Sequence, residues 1–368
     1  MARSLPPTRE SELARAILTR NLRLKPGENV IIEGWSHTLP WAVALAREAR
    51  RLKAHPLLLY EDEDAFWDSV DAKEDAVLGA APAHEWAALA KTNVYIHMWN
   101  VGDRLRLERL PPARRNKIFG FNEKWYDVAH RAKLRGTRLD IGRPFPNLAE
   151  AYGIDLETWT QQVFEGALVD PAVLERSGEP IAKAFERGRS IRIHDDAGTD
   201  LTLRLAGGAP VRDFGRVTPD DMASRFRILN FLPAGAVRVA LDSRTAEGTI
   251  RANRASFSET AKATGGVFTF RDGKLVDHHF DAGGAELFDT PYRTAKAGRD
   301  RPGYLSIGVN PKLPNTPQLE DREAGAVLVS VGGNSFLPGG KNQCNFGGIV
   351  VNAGATVEVD GRPLRLPG

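Results

Sequence analysis

Cysteine is nearly absent from this chain of 368 residues, where Cys344 stands alone. One thiol cannot close an internal disulfide, and cysteine-rich zinc and iron–sulfur sites are excluded with it. That usage fits a reducing compartment without requiring one. No apolar run approaches the roughly 20 residues that a membrane-spanning helix needs. The first ten residues, Met1-Ala-Arg-Ser-Leu-Pro-Pro-Thr-Arg-Glu10, lack the apolar stretch of a secretory signal. The expectation is a cytoplasmic protein with no membrane contact. Neither sign of charge is in excess, since 50 Lys and Arg oppose 47 Asp and Glu. A balance that even calls for no nucleic-acid partner. Histidine is scarce, with 8 in the chain and none from residue 280 onward. There is no G-x-S-x-G elbow, no H-E-x-x-H pair and no G-x-G-x-x-G after a strand.

What is present differs between the two halves. All seven Trp fall at or before Trp159, whereas 25 of the 35 Gly fall after residue 184. The first half alternates helical and strand patterns. Glu10–Asn21 sets Leu13, Ala16 and Ile17 on one helical face, and Trp41–Leu52 does the same with Trp41, Ala44, Leu45 and Ala49. Val30-Ile-Ile32, Pro56–Tyr60 and Val94–Trp99 read as short strands between them. Strand–helix–strand alternation predicts an α/β domain with a short parallel sheet over residues 1–185. The second half reads as a mixed, β-rich domain over 186–368. Ser190–His194 and Asp200–Leu205 alternate apolar and polar residues, and Asp272-Gly273 and Asp360-Gly361 each sit between strand-like runs as hairpin turns. A helix over Pro180–Arg187 joins the halves.

Several residues are candidates for chemistry. The stretch Gly332-Gly-Asn-Ser-Phe-Leu-Pro-Gly-Gly-Lys-Asn342 is rich in glycine but lacks the P-loop spacing, because Asn342 follows the lysine. It reads either as a loop that contacts substrate through Asn334, Ser335, Lys341 and Asn342, or as a tight connection between strands. His278-His279 lies between Asp277 and Asp281. Neighbours on a strand face opposite ways, so one metal could take only one of the two imidazoles, and a solvated strand end is the plainer reading. His97, inside an apolar strand, reads as a core or pocket residue. His37 reads as a cap or as the mouth of a cleft. Arg104–Lys117 carries six positive charges against one negative without interleaved aromatics, which describes a solvated helix face. Glu259, in Ser256-Phe-Ser-Glu-Thr260, is a lone carboxylate available as a general base.

A series of phrases, in order along nearly the whole chain, resembles the aminopeptidase T family of thermophilic-type metallo-aminopeptidases. They begin with Leu24-Lys-Pro-Gly-Glu-Asn-Val-Ile-Ile32, Ala46-Arg-Glu-Ala-Arg50 and Ala54-His-Pro56. Ala151-Tyr-Gly-Ile-Asp155, Ala197-Gly-Thr-Asp-Leu-Thr202 and Asn230-Phe-Leu-Pro-Ala-Gly235 follow. Gly248-Thr-Ile250, Asp272-Gly-Lys274, Leu305-Ser-Ile-Gly-Val-Asn310 and Gly339-Gly-Lys-Asn342 complete the series. The resemblance implies a two-domain fold, a homodimer, and a site formed mainly by the C-terminal domain. It also implies two-metal peptide hydrolysis, in which carboxylates and imidazoles hold the ions that activate a water.

At the ligand positions the resemblance breaks. The family pattern L-P-x-G-E meets Ala236, and its G-E before L-x-I-G meets Tyr304. Its strand histidine falls at Leu328, and its closing H-x-D falls near Gly347-Gly-Ile349. The related ring-opening dioxygenases of dihydroxypyridines, which hold iron with His, His and Asp, would lose their ligands in the same way. The expectation is a divergent member without metal or other cofactor. It is read as a hydrolase or ring-opening enzyme that takes a small peptide, amide or heterocycle. Tyr304 and Asn345 are the expected catalytic residues, with Ser335, Lys341, Asn342 and Asn334 orienting the substrate. A non-catalytic peptide- or metabolite-binding pseudoenzyme is the first alternative. A metallo-aminopeptidase with ligands displaced to His278, His279, Asp277 or Asp281 is the second.

Overall fold

The structure is a computed structural model and describes residues 8–80, 83–98, 101–256, 262–282, 285–295 and 297–368. In chain order the first strands are β1 (Asn29–Trp35), β2 (His55–Glu61), β3 (Val94–Met98), β4 (Arg135–Leu139), β5 (Ser190–His194) and β6 (Asp200–Arg204). Next come β7 (Val211–Asp213), β8 (Leu229–Leu232), β9 (Ala236–Ala240), β10 (Glu247–Ser256), β11 (Lys262–Arg271) and β12 (Lys274–His279). The last are β13 (Pro302–Gly308), β14 (Ala326–Gly332), β15 (Gly347–Ala353), β16 (Thr356–Val359) and β17 (Arg362–Pro363). The chain folds as two compact units. One holds the described residues up to Glu150 with Ile154–Pro171 and Gly215–Pro233, and the other holds the remainder.

The first unit is built on a parallel sheet in the order β2-β1-β3-β4-β8. The helix Leu39–Arg51, between β1 and β2, buries Ala42, Leu45, Ala46 and Ala49 along one stripe. It begins with Pro at its second position, where the missing N–H costs nothing. On one side of the sheet Ile31, Tyr95 and Leu229 form a core with Leu89, Ala129 and Leu134. These come from the helices Ala83–Leu89 and Asn122–Arg131 and the turn after the second of them. The basic run forms two short helices, Arg104–Arg109 and Pro112–Ile118, because Pro111-Pro112 cannot continue the first. Each buries one apolar side chain, Leu107 or Ile118; Arg109 and Lys117 are exposed, as a solvated face would have them, whereas Arg104, Arg106, Arg114 and Arg115 are half-buried.

The second unit is an antiparallel sheet in the order β17-β16-β5-β6-β10-β15-β14-β13-β9-β7, with β11 and β12 branching from β10. Its two tight hairpins are those the sequence predicts. Asp272 and Gly273 join β11 to β12 at φ 49° and 69°, and Asp360 and Gly361 join β16 to β17 at φ 50° and 74°. Two successive positive φ values match the twist of the flanking strands. The helix expected over Pro180–Arg187 begins at Pro171, so Pro180 lies inside it. Every residue of β14 is buried, which marks the middle of the sheet. Among the described residues no helix is long and apolar enough to cross a membrane.

Candidate functional site

The positions where the resemblance placed metal ligands lie on central strands of the second unit. Cross-strand pairing sets Arg238 (β9) opposite Ser306 (β13), Ser306 opposite Leu328 (β14), Leu328 opposite Val351 (β15), and Val351 opposite Arg254 (β10). Paired residues share a face, and so do residues two apart on a strand. Ala236, Tyr304, Leu328 and Ile349 therefore belong to one face with Arg238 and Arg254. The middle of that face is apolar: Ala326, Leu328 and Val351 form a buried cluster with Tyr304 and Ile349 packed against it. The Ser306 hydroxyl, 0 % exposed, has no hydrogen-bond partner among the described residues.

The two arginines flank this apolar patch, and one short segment neutralises both. In Glu320-Asp321-Arg322-Glu323, Asp321 receives Arg238 (Nη2 to Oδ2 2.6 Å) and Glu323 receives Arg254 (Nη2 to Oε2 2.5 Å). Arg238 also reaches Asp213 on β7, with Nη1 3.2 Å from Oδ2. Burial pushes the Asp321 carboxyl up, but Arg238 and Arg322 outweigh it and hold it below the usual range. Burial wins at Asp213 despite Arg238, and at Glu320, so both carboxyls lie above their ordinary values. Glu320 has one oxygen, Oε2, buried without a partner.

Tyr304 sits beside this charge network. Burial and the Asp321 carboxylate push its phenol up to about 12, so the hydroxyl keeps its proton at neutral pH. The phenolic oxygen itself has no hydrogen-bond partner among the described residues. The backbone N–H of Tyr304 donates to Ser330 Oγ at 2.7 Å, which fixes the start of β13 against β14. The ring meets Phe336 edge-on at 5.7 Å between centroids, and Phe336 is 51 % exposed. That aromatic comes from the glycine-rich stretch, which sequence reading selected for its polar residues instead.

The polar residues of that stretch divide into two kinds. Asn334, 1 % exposed, donates to the carbonyls of Leu241 and Gly303 and accepts from the Asn342 N–H. Asn342 donates to the carbonyls of Gly298 and Gly332, both at 2.8 Å. The two amides thus hold the loop on itself and on the sheet. Ser335, Lys341 and Asn345 are exposed. The glycines allow this folding-back, since a Cβ at Gly333 would overlap the Cys344 carbonyl oxygen and one at Gly340 the Asn334 carbonyl oxygen. Cys344 is half-buried, with its Sγ accepting from the Phe346 N–H at 3.4 Å.

The other candidates lie elsewhere. His278 Nε2 is 2.8 Å from Asp289 Oδ1, and its ring packs among Phe268, Phe280, Phe288 and Tyr292. Asp277, His279 and Asp281 are exposed, and Asp281 faces Arg251 at 3.6 Å. Among the described residues no group of three or more His, Cys, Asp or Glu could hold a metal ion. Glu259 and Trp99 lie outside the described residues. His97 and His37 belong to the first unit and face Glu33 (3.2 Å) and Glu63 (3.5 Å). Sequence reading missed Arg238, Asp213 and Asp321 altogether. Their signal is only that of charged residues within or beside apolar strands.

The profile of the thermophilic metalloprotease family (M29) matches residues 8–290. Among solved structures, AmpT from Thermus thermophilus is similar at a TM-score of 0.71 and 19% identity, over 97% of this chain and 98% of that one. The 2,5-dihydroxypyridine dioxygenase from Pseudomonas putida KT2440 is similar at 0.61 and 13%, over 99% of this chain and 97% of that one. At such identities the likeness is one of fold. No curated protein matches.

Proposed function

We propose that this chain, which belongs to the thermophilic metalloprotease family, works without the metal chemistry of the family's name. The observation that carries this reading is the face of β9, β13, β14 and β15. A metal centre needs carboxylate, imidazole or thiolate donors. This face offers Ala236, Leu328 and Ile349 at the expected positions, with an apolar cluster between them. The carboxylates at the flanks of this face, Asp213, Asp321 and Glu323, are engaged by Arg238 and Arg254. The residues do not fit the group.

The substrate on this reading is a small peptide, amide or heterocycle laid across the face. Tyr304 donates a hydrogen bond to its carbonyl, because a phenol that holds its proton at neutral pH is a donor and not a base. Phe336 covers one side, and Asn345, Ser335 and Lys341 supply exposed polar groups on the neighbouring loop. The same reading takes the protein as a cytoplasmic homodimer. The test is hydrolysis of a leucyl amide and of dipeptides by protein kept in a chelator. Turnover that survives the chelator and falls about tenfold in Tyr304→Phe supports the reading. Turnover abolished by the chelator and restored by zinc, cobalt or manganese overturns it.

A second reading, ligand binding without catalysis, is favoured by one observation. Tyr304 has no base hydrogen-bonded to its hydroxyl among the described residues, and the Asp321 carboxylate near it is engaged by Arg238, so no activated nucleophile is in view. Saturable binding of a peptide with no turnover supports it.

A further inference from the structure

The first unit carries an assembly of charged side chains of its own. The sheet order β2-β1-β3-β4-β8 reverses direction at β1: the chain passes from β1 outward to β2, then returns to the other side for β3. In open parallel sheets the crevice at such a reversal, outside the carboxyl ends of the strands, is where ligands bind. One register row crosses the sheet near that end. It reads Leu59 (β2), Glu33 (β1), His97 (β3), Arg138 (β4) and Phe231 (β8). Register partners in a parallel sheet share a face. An acid, an imidazole and a guanidinium thus stand side by side at the reversal point, above the apolar core of Ile31, Tyr95 and Leu229.

Among the described residues, the bonding of this row leaves two opposite charges with hydrogen-bonding positions that no partner takes. Glu33 receives the Tyr95 hydroxyl and His97 Nδ1, both on Oε2. Its Oε1 has no partner among the described residues. Burial pushes the Glu33 carboxyl up, but His97, Tyr95 and Arg138 outweigh it, so it stays ionised. Arg138 donates through Nη2 to the Tyr126 hydroxyl and lies near the rings of Tyr126 and Phe231, 5.9 and 5.5 Å from their centroids. Its other N–H groups have no partner among the described residues, and it makes no ion pair with Glu33. The side chains are reachable, with Glu33 28 % and His97 17 % exposed. The two charges stand two strand spacings apart, roughly 10 Å between backbones. With one hydrogen bond of about 2.9 Å at each end, an α-amino acid bridges such a span.

We propose that the carboxyl edge of this sheet binds a small zwitterion of the α-amino-acid class. Its ammonium sits on Glu33 Oε1, its carboxylate sits on the Arg138 guanidinium, and its side chain lies toward Phe231. Glu61 and Glu85, which feel the Glu33 charge and are pushed up by burial and by it, deepen the negative side where the ammonium enters. The proposal is independent of the reading of the β9–β15 face, and its failure leaves that reading standing.

The test is calorimetric titration of the full chain with L-phenylalanine and L-leucine, and with the N-acetyl and amide forms of each. The expected result is binding of the free amino acids, weakened at least tenfold when either charged end is blocked. Glu33→Gln and Arg138→Gln should each weaken the free amino acids by the same margin. Because either variant could fold poorly, hydrogen exchange on the unaltered protein provides a second readout. Added L-phenylalanine should slow exchange at the carboxyl ends of β1, β3 and β4. Absence of binding, equal binding of the blocked forms, or protection confined to other segments overturns the proposal.

Discussion

Arg238 Nη2 lies 2.6 Å from Asp321 Oδ2, although 83 positions separate the two residues in the chain. The pair is largely shielded from water, each side chain 16 % exposed, and shares Asp213 as a third member. Removing one partner of such a pair leaves an uncompensated charge in a poorly solvated place, at a cost of about 3–5 kcal/mol. Arg238→Met is therefore expected to destabilise the second unit by that amount, read as a lower urea midpoint at unchanged slope. A change below 1 kcal/mol would mean that the network contributes little.

The same network sets a pH dependence with two opposite signs. Asp321 lies below its ordinary value, so its contribution is present above the usual carboxylate range and is lost as pH falls through its folded value. Glu320 lies above its ordinary value, so its ionisation costs stability as pH rises through that range. Glu320→Gln should therefore raise the melting temperature at pH 7, and the gain should shrink on acidification toward pH 4. A gain that is independent of pH would show that the charge is not the cause.

Tyr304 and Phe336 should separate function from stability. Tyr304→Phe removes a hydroxyl that has no hydrogen-bond partner among the described residues, so its stability is expected to stay within about 1 kcal/mol of the parent. Binding or turnover of a peptide ligand should fall about tenfold, the worth of one hydrogen bond. Phe336→Ala, at an exposed ring, should weaken the same ligand with little change in melting. Unchanged ligand constants in both variants would remove this face from consideration.

Leu328→His puts an imidazole where the family pattern has one, but into a site that is 0 % exposed and lined by Ala326 and Val351. Burying a polar group without a partner is expected to cost about 1–3 kcal/mol. Zinc should not recover that loss, because the paired and adjoining positions Ser306, Val351, Ala326 and Ile349 carry no carboxylate, imidazole or thiolate. Recovery on adding zinc would show that donors lie within reach of the face.

Much of the fold is legible in the sequence because it depends on local chemistry. Asp272-Gly273 and Asp360-Gly361 announce their hairpins through the two positive φ values they accept. The stripe of Trp41, Ala44, Leu45 and Ala49 announces the helix Leu39–Arg51, although the face it buries most deeply runs through Ala42, Leu45, Ala46 and Ala49 and leaves Trp41 and Ala44 half-buried. The joining of β8 to that sheet is not legible, because Leu229–Leu232 lies ninety residues beyond β4 and its partner is chosen by packing. At the site the residue types at Ala236, Leu328 and Ile349 can be read directly, and it is the resemblance alone that makes them ligand positions. The Arg238–Asp213–Asp321 network cannot, since each residue alone is an ordinary charge and only the pairing of β7 with β9 and the path of the segment between β13 and β14 bring them together. Asn334 and Asn342 show the opposite difficulty, for their composition suggested substrate contact whereas their amides are taken up by backbone carbonyls.

The most direct test of the account is metal content by mass spectrometry. The protein would be purified without a histidine tag and incubated with zinc, cobalt, manganese or iron(II). The account predicts less than about a tenth of an ion per chain, because the central face carries leucine, isoleucine and alanine where donors are required. One or two tightly held ions per chain would contradict it and return this protein to the metal chemistry of its family.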